Sequence, residues 1–514
     1  MFRFIRNLIN IYRPQKMEGF KETMTLLSPS LDSNLSYLRT TFSETADLTI
    51  REIHLSNHRA AVITIDNMID KQVLAEGILN PILSHNYLTS AKNCYDTIKY
   101  KILYTAELVE LRSQEEIETN IMSGFAVILI DGMDQALSVG IQGYASRSVS
   151  EPESDIVQRG AKEGFVESVR VNMTMIRRRM KNTKLKFETM TVGKISHTQI
   201  ALAYLSDVVS NEILNELKSR LLAIPLDTVL SAGYLVPFLE DGNDRSFFSG
   251  IGVSERPDTI CGKLTEGRIA VLIDGVPSAL IVPYIFAEYF QSLDDYSNRA
   301  YFATATRFMK YCAFIISILL PGLFVSLGTF NPELFPTLML NKIASSIAAT
   351  PLSLTTETIL ILFIYEIMRE AGLRMPQPLG YAVSIVGGLV IGDTAVNAGL
   401  IGAPTLMVVA ISAISSYVVP DLYAPSSVLR LIYTLVGGLF GIWGIAVMVC
   451  IMLFDLCSKT SFGVPYTTPL SPASAVLFRD VIVRAGWKVL THKNERIQDL
   501  PGADVEGEKQ IGKK

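Results

Sequence analysis

Apolar positions along this chain follow two different patterns. Up to about Arg307 they come in short runs broken by charge every few residues. From Tyr311 to Leu456 charges thin to roughly one per 13 residues, too few for a surface that faces water. The first region predicts strands and amphipathic helices, and the second predicts helices that cross a bilayer.

Within the first region one pattern occurs twice. Gly124-Phe-Ala-Val-Ile-Leu-Ile-Asp131-Gly132 matches Gly267-Arg-Ile-Ala-Val-Leu-Ile-Asp274-Gly275, each preceded by a helix-like segment and followed by a second short apolar run. A strand, an Asp-Gly pair and a strand form the strongest short hairpin signal. Asp131 and Asp274 are expected to serve the turn through backbone hydrogen bonding rather than chemistry. About 140 residues also separate Ala61-Val-Ile-Thr-Ile-Asp66 from Ala201-Leu-Ala-Tyr-Leu-Ser206, each followed by a helical run. Two copies of one α/β unit explain both pairs.

The organisation that follows is a basic amphipathic arm over 1–27, a first α/β subdomain over 28–145, and a second with its linker over 146–300. A transmembrane helical domain over 301–456 and a tail over 457–514 complete it. The arm carries Arg3, Arg6, Arg13 and Lys16 without a continuous apolar core or a small-residue cleavage site, so it reads as a solvated first helix. The predicted fold class is a duplicated two-subdomain α/β domain, N-terminal and cytoplasmic, followed by an α-helical polytopic transmembrane domain.

Five apolar stretches make up the membrane block, at about 311–330, 353–369, 382–400, 403–420 and 430–456. A span needs about 20 residues, so the first and last qualify outright and the second only with the approach from Ile343 to Thr350. The third and fourth, divided by little more than Gly402-Ala403-Pro404, form a tight helical hairpin or a re-entrant pair. Lys459, Arg479, Arg484 and Lys488 follow the block closely and place the tail in the cytoplasm by the positive-inside rule. An even number of crossings follows, with four expected and one stretch short or re-entrant.

Composition changes this picture little. The 514 residues are 49% hydrophobic with a formal net charge of -4, which points to neither a general nucleic-acid binder nor an acidic trap. The five cysteines show no CxxC pair and read as reduced thiols. No His pair has metalloprotease spacing, and no phosphate-binding loop or nucleophile elbow occurs, so no enzyme activity or cofactor is expected. The basic run Ile176-Arg177-Arg178-Arg179-Met180-Lys181, with Lys184 and Lys186, has no interleaved aromatics and reads as a solvated or subunit-contacting helix face.

Two groups in the membrane block carry polar chemistry. Glu366, Arg369, Glu370 and Arg374 follow the second stretch at near-helical spacing, as ion pairs at a membrane boundary do. Glu357 sits deeper, where a carboxylate needs water or a partner. In the third stretch, Gly388 and Gly392 form a small-xxx-small contact with Gly399 one heptad on, a face for helix packing. Asp393 and Asn397, one turn apart, lie on an adjacent face in line with Val386 and Val390, an arrangement that resembles a polar ion path below a hydrophobic constriction. A structural, paired Asp393 is the alternative.

From about 150 to 490 the chain resembles the A subunits of the GerA-type nutrient germinant receptors of bacterial endospores. The resemblance rests on Glu151-Pro152, Arg159-Gly160, Gly164-Phe165-Val-Glu167, Glu255-Arg256-Pro257-Asp258, Glu266-Gly267-Arg268 and Phe290-Gln291-Ser292 through Asp295-Tyr296. It continues with Arg369-Glu-Ala-Gly-Leu-Arg-Met-Pro376, Ser384-Ile-Val-Gly-Gly-Leu-Val-Ile-Gly392 and Ser461-Phe-Gly-Val-Pro-Tyr466. Two positions depart from the family pattern: Ala161 where Pro is frequent, and Asp393 where Gln is frequent. The resemblance implies a subunit of the spore inner membrane that assembles with a transporter-like B subunit and a lipoprotein C subunit. It also implies a homo-oligomer, a pentamer being one such ring, that conducts ions when nutrient is sensed. The stage V sporulation protein AF, a relative with much of the same motif set, implies instead a non-conducting scaffold, and a secondary transporter ranks last because only one Gly-rich interrupted region is visible.

Overall fold

An Asp-Gly hairpin tip needs a residue at positive φ, and Gly132 (φ 88°) and Gly275 (φ 83°) supply it. The computed structural model describes residues 25–43, 45–55, 58–85, 90–103, 107–143, 152, 155–242, 246–376, 392–472, 480–490 and 496–505. In the first unit the strands are β1 (Leu48–Leu55), β2 (His58–Ile65), β3 (Leu108–Leu111), β4 (Phe125–Ile130) and β5 (Ala136–Gly140). In the second they are β6 (Leu185–Val192), β7 (Thr198–Leu205), β8 (Gly252–Ser254), β9 (Ile269–Ile273) and β10 (Ala279–Val282). The sheet orders are β1-β2-β4-β5-β3 and β6-β7-β9-β10-β8, antiparallel throughout. The two units are one topology repeated.

Helices cover both faces of each sheet. The first unit has α1 (Leu31–Thr41), α2 (Val73–Ser84), α3 (Ala91–Thr97) and α4 (Gln114–Ile121); the second has α5 (Val169–Arg179), α6 (Asn211–Leu222) and α7 (Pro257–Thr265). Side chains alternate across a strand. Thus Ala61 and Ile63 of β2 meet Leu35 and Leu38 of α1 and Ile117 of α4, while Val62 meets Ile78 and Ile82 of α2. Likewise Ala201 and Ala203 of β7 meet Met173 and Ile260, while Ile200 and Leu202 meet Ile213 and Leu217.

The hairpin aspartates cap helices. Asp131 Oδ1 accepts from the Leu31 N–H at the start of α1 (3.0 Å), and Asp274 Oδ1 accepts from the Val169 N–H at the start of α5 (3.1 Å). Asn34 and Asn172 add the same pair of bonds to the preceding backbone at Ser28 and Val166. The basic run departs from expectation: Arg177 is fully buried, with Nε and Nη2 bonded to both oxygens of Asp47 in the first unit (2.9 and 3.0 Å). A planar fork facing a carboxylate in a dry interface explains why this arginine is not solvated. Arg178 and Arg179 turn to Glu163.

The membrane block comprises α8 (Ala300–Phe330), α9 (Thr337–Ala349), α10 (Leu354–Arg374), α11 (Ala403–Ser416) and α12 (Tyr423–Ser458). Two helices, Ala300–Phe330 and Pro420–Ser458, are long and apolar enough to cross a membrane. Leu340–Ala349 and Leu354–Arg374 form a pair bent by 79°, a third crossing if taken as one broken span. At 1.5 Å per residue α11 reaches only about 21 Å, short of a full span. Against four expected crossings, the described residues therefore supply two or three. Most of the 382–400 stretch lies outside them.

Both ends of the block return to the second unit. Beyond α12, Phe462, Val464 and Ile497 enter the core between the sheet and α6. Ser461 Oγ donates to the Gly250 carbonyl (2.7 Å), and the Phe286 N–H donates to the Tyr466 carbonyl (2.9 Å). At the head of α8, the buried Arg307 bonds Asp295 (2.7 Å) and the tail residue Asp480 (2.8 Å). The second unit and the tail thus sit at the same end of α8 and α12.

Candidate functional site in the membrane block

A charge among apolar helices must be paired or face water, because its desolvation otherwise outweighs what packing returns. The described polar side chains divide along that line. On α10, Glu357 is 1% exposed; its Oε1 accepts from the Gly402 N–H (2.7 Å) just ahead of α11, and Thr350 reaches Oε2 at 3.5 Å. This carboxylate fastens α10 to the start of α11.

Near the middle of α10, Glu366 gathers a network. It accepts from Arg430 Nη2 (2.7 Å), the Ser427 hydroxyl (2.6 Å) and the Tyr423 hydroxyl (2.9 Å), all on α12, and from Arg369 Nε (3.3 Å). Arg430 is 1% exposed, and its guanidinium lies 5.4 Å from the Tyr365 ring. Glu370 and Arg374 pair nearer the surface at 2.7 Å. The sequence singled out the local partners of Glu366 but not Arg430, which joins from another helix. The available signal was an arginine inside an otherwise apolar segment.

Asp393 and Asn397 stand apart from this network. They lie on the short helical stretch 392–397, both exposed, and their side chains make no hydrogen bond among the described residues. Val386, Gly388 and Val390 lie outside the described residues. Gly392 is buried, and a Cβ there would meet Leu406 at 3.3 Å. Gly399, at φ 66°, ends the stretch in the left-handed conformation, close to the Ala349 carbonyl. A close helix crossing lies elsewhere. A Cβ on Gly322 of α8 would stand 2.6 Å from the Tyr433 carbonyl of α12, and one on Gly437 would stand 2.5 Å from the Gly322 carbonyl.

At the junction with the second unit, the buried Glu288 is met by Arg268 Nη2 at 2.8 Å and by Lys263. Burial alone would raise its carboxyl, but the two cations outweigh burial and hold it below the ordinary carboxylate range. Burial pushes the Cys261 thiol up to about 11, which keeps it protonated and unreactive.

A family model described as Bacillus/Clostridium GerA spore germination protein matches residues 36–496. The chain is 35% identical over 472 residues to Spore germination protein KA of Bacillus subtilis (strain 168), covering 91% of this chain and 86% of that protein. It is 31% identical over 491 residues to Uncharacterized membrane protein YfkQ of the same organism, with 95% and 94% covered. With Spore germination protein GerLA of Bacillus cereus it shares 32% over 456 residues, with 88% and 92% covered. The N-terminal domain of the A subunit of the Bacillus megaterium spore germinant receptor GerK3 is a solved structure that matches 52% of this chain over 99% of its own length, at 24% identity and a TM-score of 0.38.

Proposed function

The chain belongs to the Bacillus/Clostridium GerA spore germination family, and from that premise we propose that it is the A subunit of a nutrient germinant receptor in the spore inner membrane. It assembles with copies of itself, with a transporter-like B subunit and with a lipoprotein C subunit, and the ring it forms conducts ions when nutrient is sensed. Its role is conduction and signalling, not catalysis. The soluble units and the tail, at one end of the block, occupy the cytoplasmic side.

What supports the ion path is the contrast within the block. Glu357, Glu366 and Arg430 are buried and paired, whereas Asp393 and Asn397 are exposed on a single chain with no side-chain partner among the described residues. In an apolar environment such groups need water or a second subunit. A ring of copies with these two residues around a common axis provides both. Val386 and Val390 narrow the path a turn or two away, where an apolar constriction gates by excluding water.

The test is potassium release from spores carrying Val390→Ala, Asp393→Ala or Asn397→Ala, with subunit abundance measured in each. Leak without nutrient from the valine variant, with altered release from the two polar variants, supports the path. Normal release from all three at normal abundance removes it and leaves a non-conducting scaffold, the role of the stage V sporulation AF-like relatives.

A further inference from the structure

A cavity of about 820 Å³ lies where the second α/β unit, the head of α8, the turn between α11 and α12, and the tail meet. That volume is within the range of small-molecule sites. One part of its wall is aromatic, from Tyr284, Tyr289, Tyr296, Tyr417 and Trp487. Another part is anionic, and most of that charge is already answered from within the fold. Glu288 and Glu266 are met by Arg268 and Lys263, Asp480 by Arg307, and Asp294 accepts the Gln158 and Arg159 N–H groups. Of the two lysines in the wall, Lys263 is committed to Glu288, and Lys310 to Ser292 (3.0 Å) and Asp295 (3.8 Å).

Glu255, also in the wall, has an interaction of its own, which leaves two carboxylates. Asp155, from the linker, has only the Ser254 hydroxyl bonded to its side chain among the described residues (2.8 Å), while Arg256 bonds its backbone carbonyl. Burial pushes the Asp155 carboxyl above its ordinary range, as expected for a charge that is under-compensated. Asp421, from the turn between α11 and α12, has no hydrogen bond or ion pair among the described residues. Tyr284 is 8% exposed and lines the same space, and its hydroxyl bonds no other group among the described residues. A hydroxyl that the fold leaves unbonded at a cavity wall is open to a ligand.

We propose that this cavity binds a small organic ammonium ion, its charge answered by Asp155 and Asp421, its N–H donors by these carboxylates and the Tyr284 oxygen, and its body by the aromatic wall. Aromatic faces beside carboxylates favour a cation with an apolar body over a bare metal ion. Consistent with that choice, no three His, Cys, Asp or Glu side chains gather as metal ligands among the described residues. The occupant touches the soluble unit and the turn between two membrane helices at once, so its binding fixes their relative placement. The inference stands independently of the ion path.

The chain has two tryptophans, Trp487 in the cavity wall and Trp443 on α12. In the full chain carrying Trp443→Phe, purified in detergent, Trp487 emission is titrated with phenethylammonium and with the uncharged 2-phenylethanol. Saturable change with the ammonium, and binding weaker by about tenfold or more for the alcohol, is the expected result, in line with a lost charge-assisted hydrogen bond. The double variant Asp155→Asn, Asp421→Asn is expected to lose the ammonium preference. Tyr284→Phe, which removes one oxygen, is expected to weaken binding several-fold at an unchanged thermal transition. An absent response to the ammonium, an equal response to the alcohol, or undiminished binding in the folded Tyr284→Phe and Asp variants would overturn the site.

Discussion

The two α/β units share a strand order, a hairpin aspartate that caps the first helix and an asparagine that braces the turn before it, yet they close one sheet face differently. In the first unit that face is covered by its own α2 and α3, through Ile78, Ile82 and Tyr95. In the second, α6 and the segment after it, with Leu235 and Leu239, cover part of it, and the chain's tail adds Phe462, Val464 and Ile497. The Phe462 ring also lies 4.2 Å from the Arg220 guanidinium of α6. Duplication thus gave two equal scaffolds, and the second became the one to which both ends of the membrane block are fastened. Movement of α12 relative to α8 must pass through the second core before it reaches the first.

Removing the contact that joins the units, and then one that belongs to the second alone, is the strongest way to break this contrast. Asp47→Ala leaves the Arg177 guanidinium buried and unpaired between the units, which costs about 3–5 kcal/mol. The full chain in detergent should show a lower thermal transition and new protease cutting between the units, and an unchanged chain would mean that the units are not held by this pair. Phe462→Ala, at about 3–5 kcal/mol for a buried phenylalanine, should loosen the second unit and leave amide-exchange protection in the first intact. Equal loss in both units would contradict the division.

Acid sharpens the comparison further, since Glu288 has its cationic partners only at the second unit's junction. Its folded pKa lies below the unfolded value of about 4.3. The stability it contributes is therefore complete above that value and lost as pH falls through the folded pKa. The transition temperature of the wild-type chain should drop below about pH 4.3 more steeply than that of Glu288→Gln, and parallel curves would count against the pairing. The smallest effect tests the shared feature. Asp131→Ala and Asp274→Ala should each cost about 1 kcal/mol as lost helix caps, with similar unfolding midpoints, and a large inequality would show that the two caps are not equivalent.

The repeat was legible because its signal is local. Positive φ at Gly132 and Gly275 requires glycine, and the strands on either side are read from consecutive residues. The same holds for Arg369 and Arg374, which find Glu366 and Glu370 within one helical turn. What escaped is what arrives from afar. Arg430 reaches Glu366 from another helix, Arg177 crosses to Asp47 in the other unit, and Phe462 enters a core most of whose members lie more than a hundred residues earlier. No period along the chain encodes such meetings, and a charged residue in an unexpected place is their only trace. Gly322 and Gly437, where α8 and α12 nearly touch, stand in unremarkable apolar sequence for the same reason.

The most direct test of the conducting ring asks whether residue 397 meets its own copies. Asn397→Cys, in spores whose subunit carries Cys450→Ser and Cys457→Ser, is treated with a mild oxidant, and the membrane proteins are separated without reductant. A common polar axis predicts disulfide-linked dimers from position 397 that disappear on reduction and are absent when the cysteine is placed instead at the buried Thr358. Monomer alone at both positions, with the subunit present at normal abundance, would contradict the ring.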